Sequence, residues 1–421
     1  MLPGFSIVLA AKGLTFGGET RFRAFFGCYM LASGQQRMRT IITARRLLRE
    51  KGIVEYPEVA VEDGYITSIT SRERGGVRDS YPEALLVPAY VNIHVHGAVG
   101  HDVMEGTPKA LQAIGAALAG HGVGAYYPTT VTSSTEETLR ALDMIAGVIE
   151  QGAAAEGAAP LGIHLEGPFL STAKRGVHPA ALLVQPSIAL FDRFWQAARG
   201  HIRIMTIAPE LTTALELTEY AAGLGVVCSL GHSNATLVEA EAGFHAGARS
   251  ATHTFNAMRA LDHRDPGIAA YVLDNDSLFA EIVCDGIHVD PAMIRLFFKA
   301  KGAEKSILIT DGIAATGMPD GRYKLGELDV EVSEGRCTSV GSPGVLAGSV
   351  LAMDQAVRNF SLFTGASIAT SAQCAGRNPA RLMSLEQQWG CVEEGREANF
   401  VALSPQGRIV QSFRAGRPLL A

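Results

Sequence analysis

The chain has no CxxC pair. Its six cysteines, Cys28, Cys228, Cys284, Cys337, Cys374 and Cys391, are scattered, which excludes a zinc ribbon and gives no disulfide framework. Two of them, in VVCSL and IVCDG, lie in apolar runs as small buried hydrophobes do, and a reducing cytoplasm fits this usage. No apolar run approaches the roughly 20 residues of a membrane-spanning helix. The early run FSIVLAA is short, has no basic residue before it and is cut by Lys12, so it does not read as a secretory signal. Also lacking is a basic face. The 36 Lys and Arg are dispersed among 42 Asp and Glu, for a net charge of −6, so neither nucleic acid nor membrane is an expected partner. What is present is an apolar fraction of 47% in 421 residues, enough core for one large domain and a smaller one.

Residues 1–37 mix Gly, Phe and Arg without helical or strand period and read as an N-terminal extension of unknown role. From Met38, RTIITARRLL, PEVAVEDG and YITSITS read as strands, with Asp63-Gly64 supplying a two-residue hairpin turn that needs positive φ. Beyond Pro88 come eight apolar runs: AYVNIHVHG, GAYYPTTVT, LGIHLEGPF, IRIMTIAPE, GVVCSLGHS, SATHTFNA, FAEIVCDGIHV and SILITDGIA. Between most of them lie amphipathic segments such as TEETLRALDMIAGVIEQG and TLVEAEAGFHAGA, opened by Ser, Thr or Pro and closed by Gly as helix caps prefer. This alternation predicts an α/β fold, a (β/α)8 TIM-like barrel over residues 88–378. After it, GCVEEG, ANFVAL and RIVQSFRAG return to strands, so residues 379–421 are expected to join 38–87 in a small β-sandwich built from both ends.

The polar residues of the eight runs fall at one end. His94 and His96 close the first, Glu166 the third, His232 the fifth, His253 the sixth, His288 the seventh and Asp311 the eighth. In a parallel barrel these are the C-terminal strand ends, where active sites are built. His94 and His96, two apart on a strand, leave the backbone on one side and can converge on one object. Three His or carboxylate ligands with a position open for water form a hydrolytic metal site. Glu166, His232 and His253 supply such a set, His94 and His96 are candidates for a second ion bridged by a carboxylate, and Asp311 can carry a proton from water to a leaving amine.

HLEGPF, GHSNAT, ATHTFNAM, DGIHVD, ITDG and LAGS, in this order and spacing, closely resemble the N-acetylglucosamine-6-phosphate deacetylases of the amidohydrolase superfamily, from about Met38 to the C-terminus. The resemblance implies a distorted TIM barrel with a small β-sandwich, a homodimer, and hydrolysis of a sugar-phosphate acetamide. It implies a catalytic divalent metal on Glu166, His232 and His253, with Asp311 as general base and acid. The HxH of NIHVHG resembles the branch that binds two ions. Zn, Fe, Mn and Co all suit such ligands. By the same resemblance His178, in AKRGVHP, stabilises the oxyanion. Asn256 and Ala257 contact the sugar phosphate, and Arg264 binds phosphate, reaching across the dimer. His288 binds a substrate hydroxyl or the phosphate, and Leu346 packs on the acetyl methyl. Where the family usually reads PGxxDxHxH, this chain has Ala89 and Asn92 in place of the glycine and the aspartate. If that aspartate supports the HxH pair, a neutral Asn92 lowers affinity for the second ion, although its carbonyl still accepts a hydrogen bond. The alternatives are N-acetylgalactosamine-6-phosphate deacetylation, another amidohydrolase such as a hydantoinase, dihydroorotase or N-acyl amino acid hydrolase, and a non-catalytic barrel. The fourth run, IRIMTIAPE, lacks the lysine that some of those amidohydrolases carbamylate to bridge two metals, and every expected ligand speaks against the non-catalytic reading.

Overall fold

All eight expected apolar runs become strands of one parallel sheet. In the computed structural model, which describes residues 39–76, 80–152, 157–342 and 344–419, they are β1 (Tyr90–Val95), β2 (Val123–Thr130), β3 (Ile163–Glu166), β4 (Ile202–Ile207), β5 (Val227–Leu230), β6 (Ser250–Ala251), β7 (Phe279–Val283) and β8 (Ser306–Ile309). Each pairs in parallel with the next. Every residue of β1, β2, β3 and β8 is buried, which is why these strands read as continuous apolar runs instead of alternating ones. The seam between β8 and β1 is held at the strand ends: Asp311 N–H donates to the His94 carbonyl (3.0 Å) and His96 N–H to the Gly312 carbonyl (2.7 Å). A nearly closed barrel results, and the seam bonds fall on or beside residues that the sequence reading singled out.

The connecting helices start where their caps predict. Ser134 accepts from Glu137 N–H to open Thr135–Glu150, and Thr236 with Glu239 forms a reciprocal capping box ahead of Leu237–His245. The segment TALELTEYAAGLG departs from this. Its helix is Ala214–Gly223, and Thr213 sits at φ 63° without a side-chain cap because its hydroxyl donates to the Pro186 carbonyl.

A second, mixed sheet takes strands from both ends of the described chain. The first half of Arg39–Arg49 pairs antiparallel with Pro57–Glu62, and the second half pairs in parallel with Tyr81–Pro88. The latter pairs with Phe400–Leu403, which continues into Ile409–Arg414. Changing partners along one strand wraps the sheet around its own core of Ile42, Leu47, Val59, Ile66, Leu86, Phe400 and Phe413. The expected turn is present, with φ 52° at Asp63 and 88° at Gly64. GCVEEG, expected as a strand, is a loop, because its carboxylates serve other strands of the sheet: Glu393 accepts from Arg49 Nε (2.9 Å) and Glu50 N–H (2.8 Å), and Glu394 from Ile69 N–H (2.8 Å). Sequence reading also missed Gly52–Glu55 and a three-stranded meander after β8, Gly321–Leu325, Leu328–Ser333 and Arg336–Ser339. The expected extension over residues 1–37 lies outside the described residues.

Candidate metal centre

Six of the expected residues meet at the C-terminal end of the barrel. His94 lies in β1, Glu166 ends β3, and His96, His232, His253 and Asp311 stand just beyond β1, β5, β6 and β8. Three of those beyond a strand, His232, His253 and Asp311, have positive φ, 47°, 29° and 51°. Such turns re-aim a side chain from the strand's own face toward the barrel axis, and the strain is tolerated where the surroundings fix the conformation.

Two groups form. Glu166 Oε1 lies 3.3 Å from His232 Nε2 and 3.2 Å from His253 Nε2. The other oxygen, Oε2, lies 3.2 Å from His96 Nε2 and 3.5 Å from His94 Nε2. Asp311 Oδ1 completes the second group at 3.3 Å from His96 Nε2 and 3.5 Å from His94 Nε2. One carboxylate thus faces both groups, one through each oxygen. All six side chains are buried.

The outer ring nitrogens show what the inner ones carry. His232 Nδ1 points at the Lys174 carbonyl (3.0 Å), His96 Nδ1 at the Thr129 carbonyl (3.1 Å) and His94 Nδ1 at Glu281 Oε2 (3.1 Å). These acceptors fix each ring proton on Nδ1, which leaves the Nε2 lone pairs turned inward. The inner nitrogens nearly touch: His232 and His253 Nε2 are 3.0 Å apart, His94 and His96 Nε2 3.3 Å. Lone pairs facing lone pairs and carboxylates in a dry site repel unless a cation or protons lie among them, and ligand atoms about 2.1 Å from one ion stand at comparable separations. The donor sets fit divalent metal ions. Burial alone would raise the Glu166 carboxyl, but His94, His232 and His253 hold it well below the usual carboxylate range.

His178 joins them. Its Nδ1 accepts from Thr132 N–H (3.3 Å) and pairs with Thr132 Oγ1 (2.7 Å). Burial, then the adjacent His232 ring, pushes it down to about 3. The ring is therefore neutral, and since a backbone N–H only donates, its proton is on Nε2, 3.8 Å from Glu166 Oε2. A cavity of about 310 Å³ opens over these groups, and Asn256, Ala257, His288 and Leu346 line it. Asn256 Nδ2 is tied to the His253 carbonyl (3.2 Å). His288 Nδ1 donates to Asp285 (2.7 Å). Burial opposes a charge on this ring, but Asp285 outweighs it and raises the pKa. Arg264 is not brought in: it is exposed and absent from the cavity lining.

The contacts of Asn92, Glu281 and the LAGS segment were not legible in the sequence. Asn92 does not support either imidazole; its oxygen accepts from His94 N–H (3.3 Å) and its amide donates to Thr310 (2.8 Å). The acceptor for the His94 ring is Glu281, visible in the sequence only as an acidic residue inside the apolar run FAEIV. The LAGS segment braces Asp311: Ser349 N–H donates to the Asp311 carbonyl (2.7 Å) and Ser349 Oγ to the Thr310 carbonyl (2.5 Å).

Comparison with known proteins agrees with this geometry. Residues 85–419 match the model of the amidohydrolase family. The chain is 36% identical over 381 residues to an N-acetylgalactosamine-6-phosphate deacetylase of Escherichia coli O157:H7, covering 90% of this chain and 99% of that one. It is 32% identical over 378 residues to an N-acetylglucosamine-6-phosphate deacetylase of Bacillus subtilis, covering 88% and 94%. A mutant N-acetyl-D-glucosamine-6-phosphate deacetylase from Mycobacterium smegmatis, solved in complex with N-acetyl-D-glucosamine-6-phosphate, superposes with a TM-score of 0.85 at 30% identity, over 91% of this chain and 100% of that chain. With two buried donor groups at the mouth of the barrel and relatives matched along nearly their whole length, the chain belongs to the N-acetylglucosamine-6-phosphate deacetylase family of the amidohydrolase superfamily.

Proposed function

We propose that the protein hydrolyses the acetamido group of N-acetylglucosamine 6-phosphate to glucosamine 6-phosphate and acetate. The observation that carries this reading is that Asp311 and His178 line one cavity beside the buried donor groups built on Glu166, His232 and His253 and on His94 and His96. The N-acetylgalactosamine epimer is the second reading, favoured by the 36% identity to a deacetylase of that sugar phosphate. A divalent ion held by Glu166, His232 and His253, with a second on His94, His96 and the Glu166 and Asp311 carboxylates, would supply an acidified water and polarise the acetyl carbonyl.

The chain's own residues do the rest. Burial opposes ionisation of Asp311, but His96 and His94 overrule it and hold the carboxyl well below its usual range, so it stands as a carboxylate, a weak base that takes a proton only from a water already made acidic. The hydroxide left behind bonds to the acetyl carbon, the proton held by Asp311 passes to the nitrogen as the C–N bond breaks, and the amine and acetic acid leave, the acid then giving its own proton to the amine or to water. His178 Nε2–H donates to the acetyl oxygen as it gains charge. His288, whose contact with Asp285 favours the protonated ring against the opposing effect of burial, suits an anionic or hydroxyl group of the sugar phosphate. Asn256 and the Ala257 backbone hold the sugar, and Leu346 offers an apolar surface to the acetyl methyl. Arg264, outside its own cavity, would bind phosphate in the partner subunit's site of a homodimer. Zn, Fe, Mn and Co all suit the ligands. A cytoplasmic location fits the five free cysteines among the described residues. Residues 88–378 would form the hydrolase domain and 38–87 with 379–421 the accessory one.

The test is acetate release from both 6-phosphates and from unphosphorylated N-acetylglucosamine, with protein of measured metal content. The expected result is activity lost on chelation, restored by divalent ion, greatest on N-acetylglucosamine 6-phosphate, and lowered by about 10²- to 10⁴-fold in kcat for Asp311→Asn. Metal-loaded protein inert on both sugar phosphates, or an Asp311→Asn variant at wild-type rate, would sink the reading.

A further inference from the structure

Glu281 is a carboxylate in the middle of a strand, fully shielded from solvent, and it lines no part of the cavity over the metal groups. Such a group is retained only where it is paired, because an unpaired buried charge is strongly unfavourable. Its pairing is unusual. One oxygen, Oε2, faces both His94 Nδ1 (3.1 Å) and the backbone N–H of His253 (3.1 Å), so it touches a residue from each metal group. The Glu281 backbone carbonyl accepts from Thr254 N–H (2.8 Å), which fixes the left-handed turn at His253, φ 29°. The second oxygen, Oε1, has no protein hydrogen-bond partner. Glu281 approaches His94 from the ring nitrogen opposite the one that faces Glu166 and Asp311, so it is placed as a support and not as a ligand.

A carboxylate on the outer nitrogen holds a histidine in one tautomer and makes its inner nitrogen a stronger base. The acceptors of the other two fixed rings are neutral backbone carbonyls, of Thr129 and Lys174. We propose that Glu281 is the positioning residue that sets the affinity of the His94–His96 group for its ion, and that Asn92 has no such part. This rests on the metal reading given above. The Glu166, His232 and His253 group depends less on the Glu281 side chain, because the turn at His253 keeps its backbone bond to the Glu281 carbonyl whatever the side chain is.

The test is cobalt(II) uptake by wild-type chain, Glu281→Gln, Glu281→Ala and Asn92→Asp, read as equivalents bound per chain and by visible absorption while a chelator is titrated in. Glu281→Gln keeps the shape and removes the charge, so it remains informative if Glu281→Ala does not fold. Wild type is expected to hold two equivalents. In Glu281→Gln one equivalent leaves at about ten- to a hundredfold lower chelator and the other stays as in wild type, with Asn92→Asp unchanged. Loss of both equivalents together in Glu281→Gln, loss of neither, or a shifted affinity in Asn92→Asp would overturn the proposal. Wild-type chain that binds no ion at all overturns the metal reading itself, and the wild-type titration distinguishes that failure from failure of the Glu281 assignment.

Discussion

His288 shows how one neighbour alters the protonation of a single residue. Asp285 accepts from its ring and, through Oδ1, from the Ile287 and His288 N–H groups (both 2.8 Å). The pairing raises the imidazole and lowers the carboxyl. The raised group contributes stability that is fully present below the ordinary histidine value of 6.5 and is lost as pH rises through the folded value. The lowered Asp285 contributes stability that is present above its ordinary 3.8 and lost as pH falls further. Between those limits the pair is charged and intact. KM for a phosphorylated substrate should therefore climb as pH rises beyond the neutral range, while KM for the unphosphorylated sugar stays level. His288→Gln should raise the phosphorylated substrate's KM by about ten- to a hundredfold, as loss of a charge-assisted hydrogen bond does, and should flatten the profile. A KM that tracks pH equally in variant and wild type would remove His288 from phosphate recognition. The sequence placed His288 at a strand end; its charge depends on Asp285, three residues earlier, meeting it in a tight turn.

At the scale of elements, the barrel ends its strands on residues whose backbones turn out of the sheet, and short segments brace those turns. LAGS is the clearest case. Gly348 has φ 63°, and a Cβ there would lie 2.5 Å from Ile313 Cγ2 and 2.9 Å from the Asp311 carbonyl oxygen. Only glycine lets this segment approach so closely while Ser349 bonds the residues around Asp311. Gly348→Ala is expected to destabilise the fold by about 1–3 kcal/mol, the usual range for overpacking, and to lower kcat more than KM because the displaced carbonyl belongs to Asp311. A urea titration and steady-state kinetics check both, and kcat unchanged alongside a lower urea midpoint would show that Asp311 does not depend on the brace. LAGS was legible as a motif, but its mechanical part was not, because Gly348 and Asp311 are neighbours only once the chain has returned from the meander. The meander itself was missed because its strands are short and half-exposed, such as Leu328–Ser333 with its alternating pattern, beside long runs that dominate any reading by apolarity.

At the scale of the whole molecule, the metal ions proposed above would compete with protons for one set of nitrogens. Burial opposes a charge on His96, but Asp311 and Glu166 prevail and push its pKa up to about 9 in the ion-free chain. That protonation contributes stability fully present below 6.5 and lost as pH rises through about 9. Ion binding displaces the same proton, so ion affinity should increase over that interval. Chelation is expected to lower Tm by about 3 °C for each ion whose free concentration had exceeded its Kd a hundredfold, and the gap between loaded and stripped protein should widen from pH 6.5 to 9. A melting series at several pH values measures it, and a gap that narrows with rising pH would contradict the shared-site account. Among the described residues no helix is long and apolar enough to cross a membrane.

The chain by itself determined the eight strands, because parallel strands buried on both faces are written as unbroken apolar runs, and it marked one end of the barrel as the candidate site, because a His, Glu or Asp recurring at the ends of six such runs is improbable by accident. It also spelled the Asp63-Gly64 turn and most helix starts, which depend on side chains within a few residues of one another. Tertiary structure decided what depends on distant partners: that Glu166 faces both donor groups, that Thr132 fixes the proton of His178 on its inward nitrogen, and that Glu281 and not Asn92 supports His94. Those pairings follow from strand register and the direction of each turn at the barrel mouth, and sequence order does not encode a register between strands far apart along the chain.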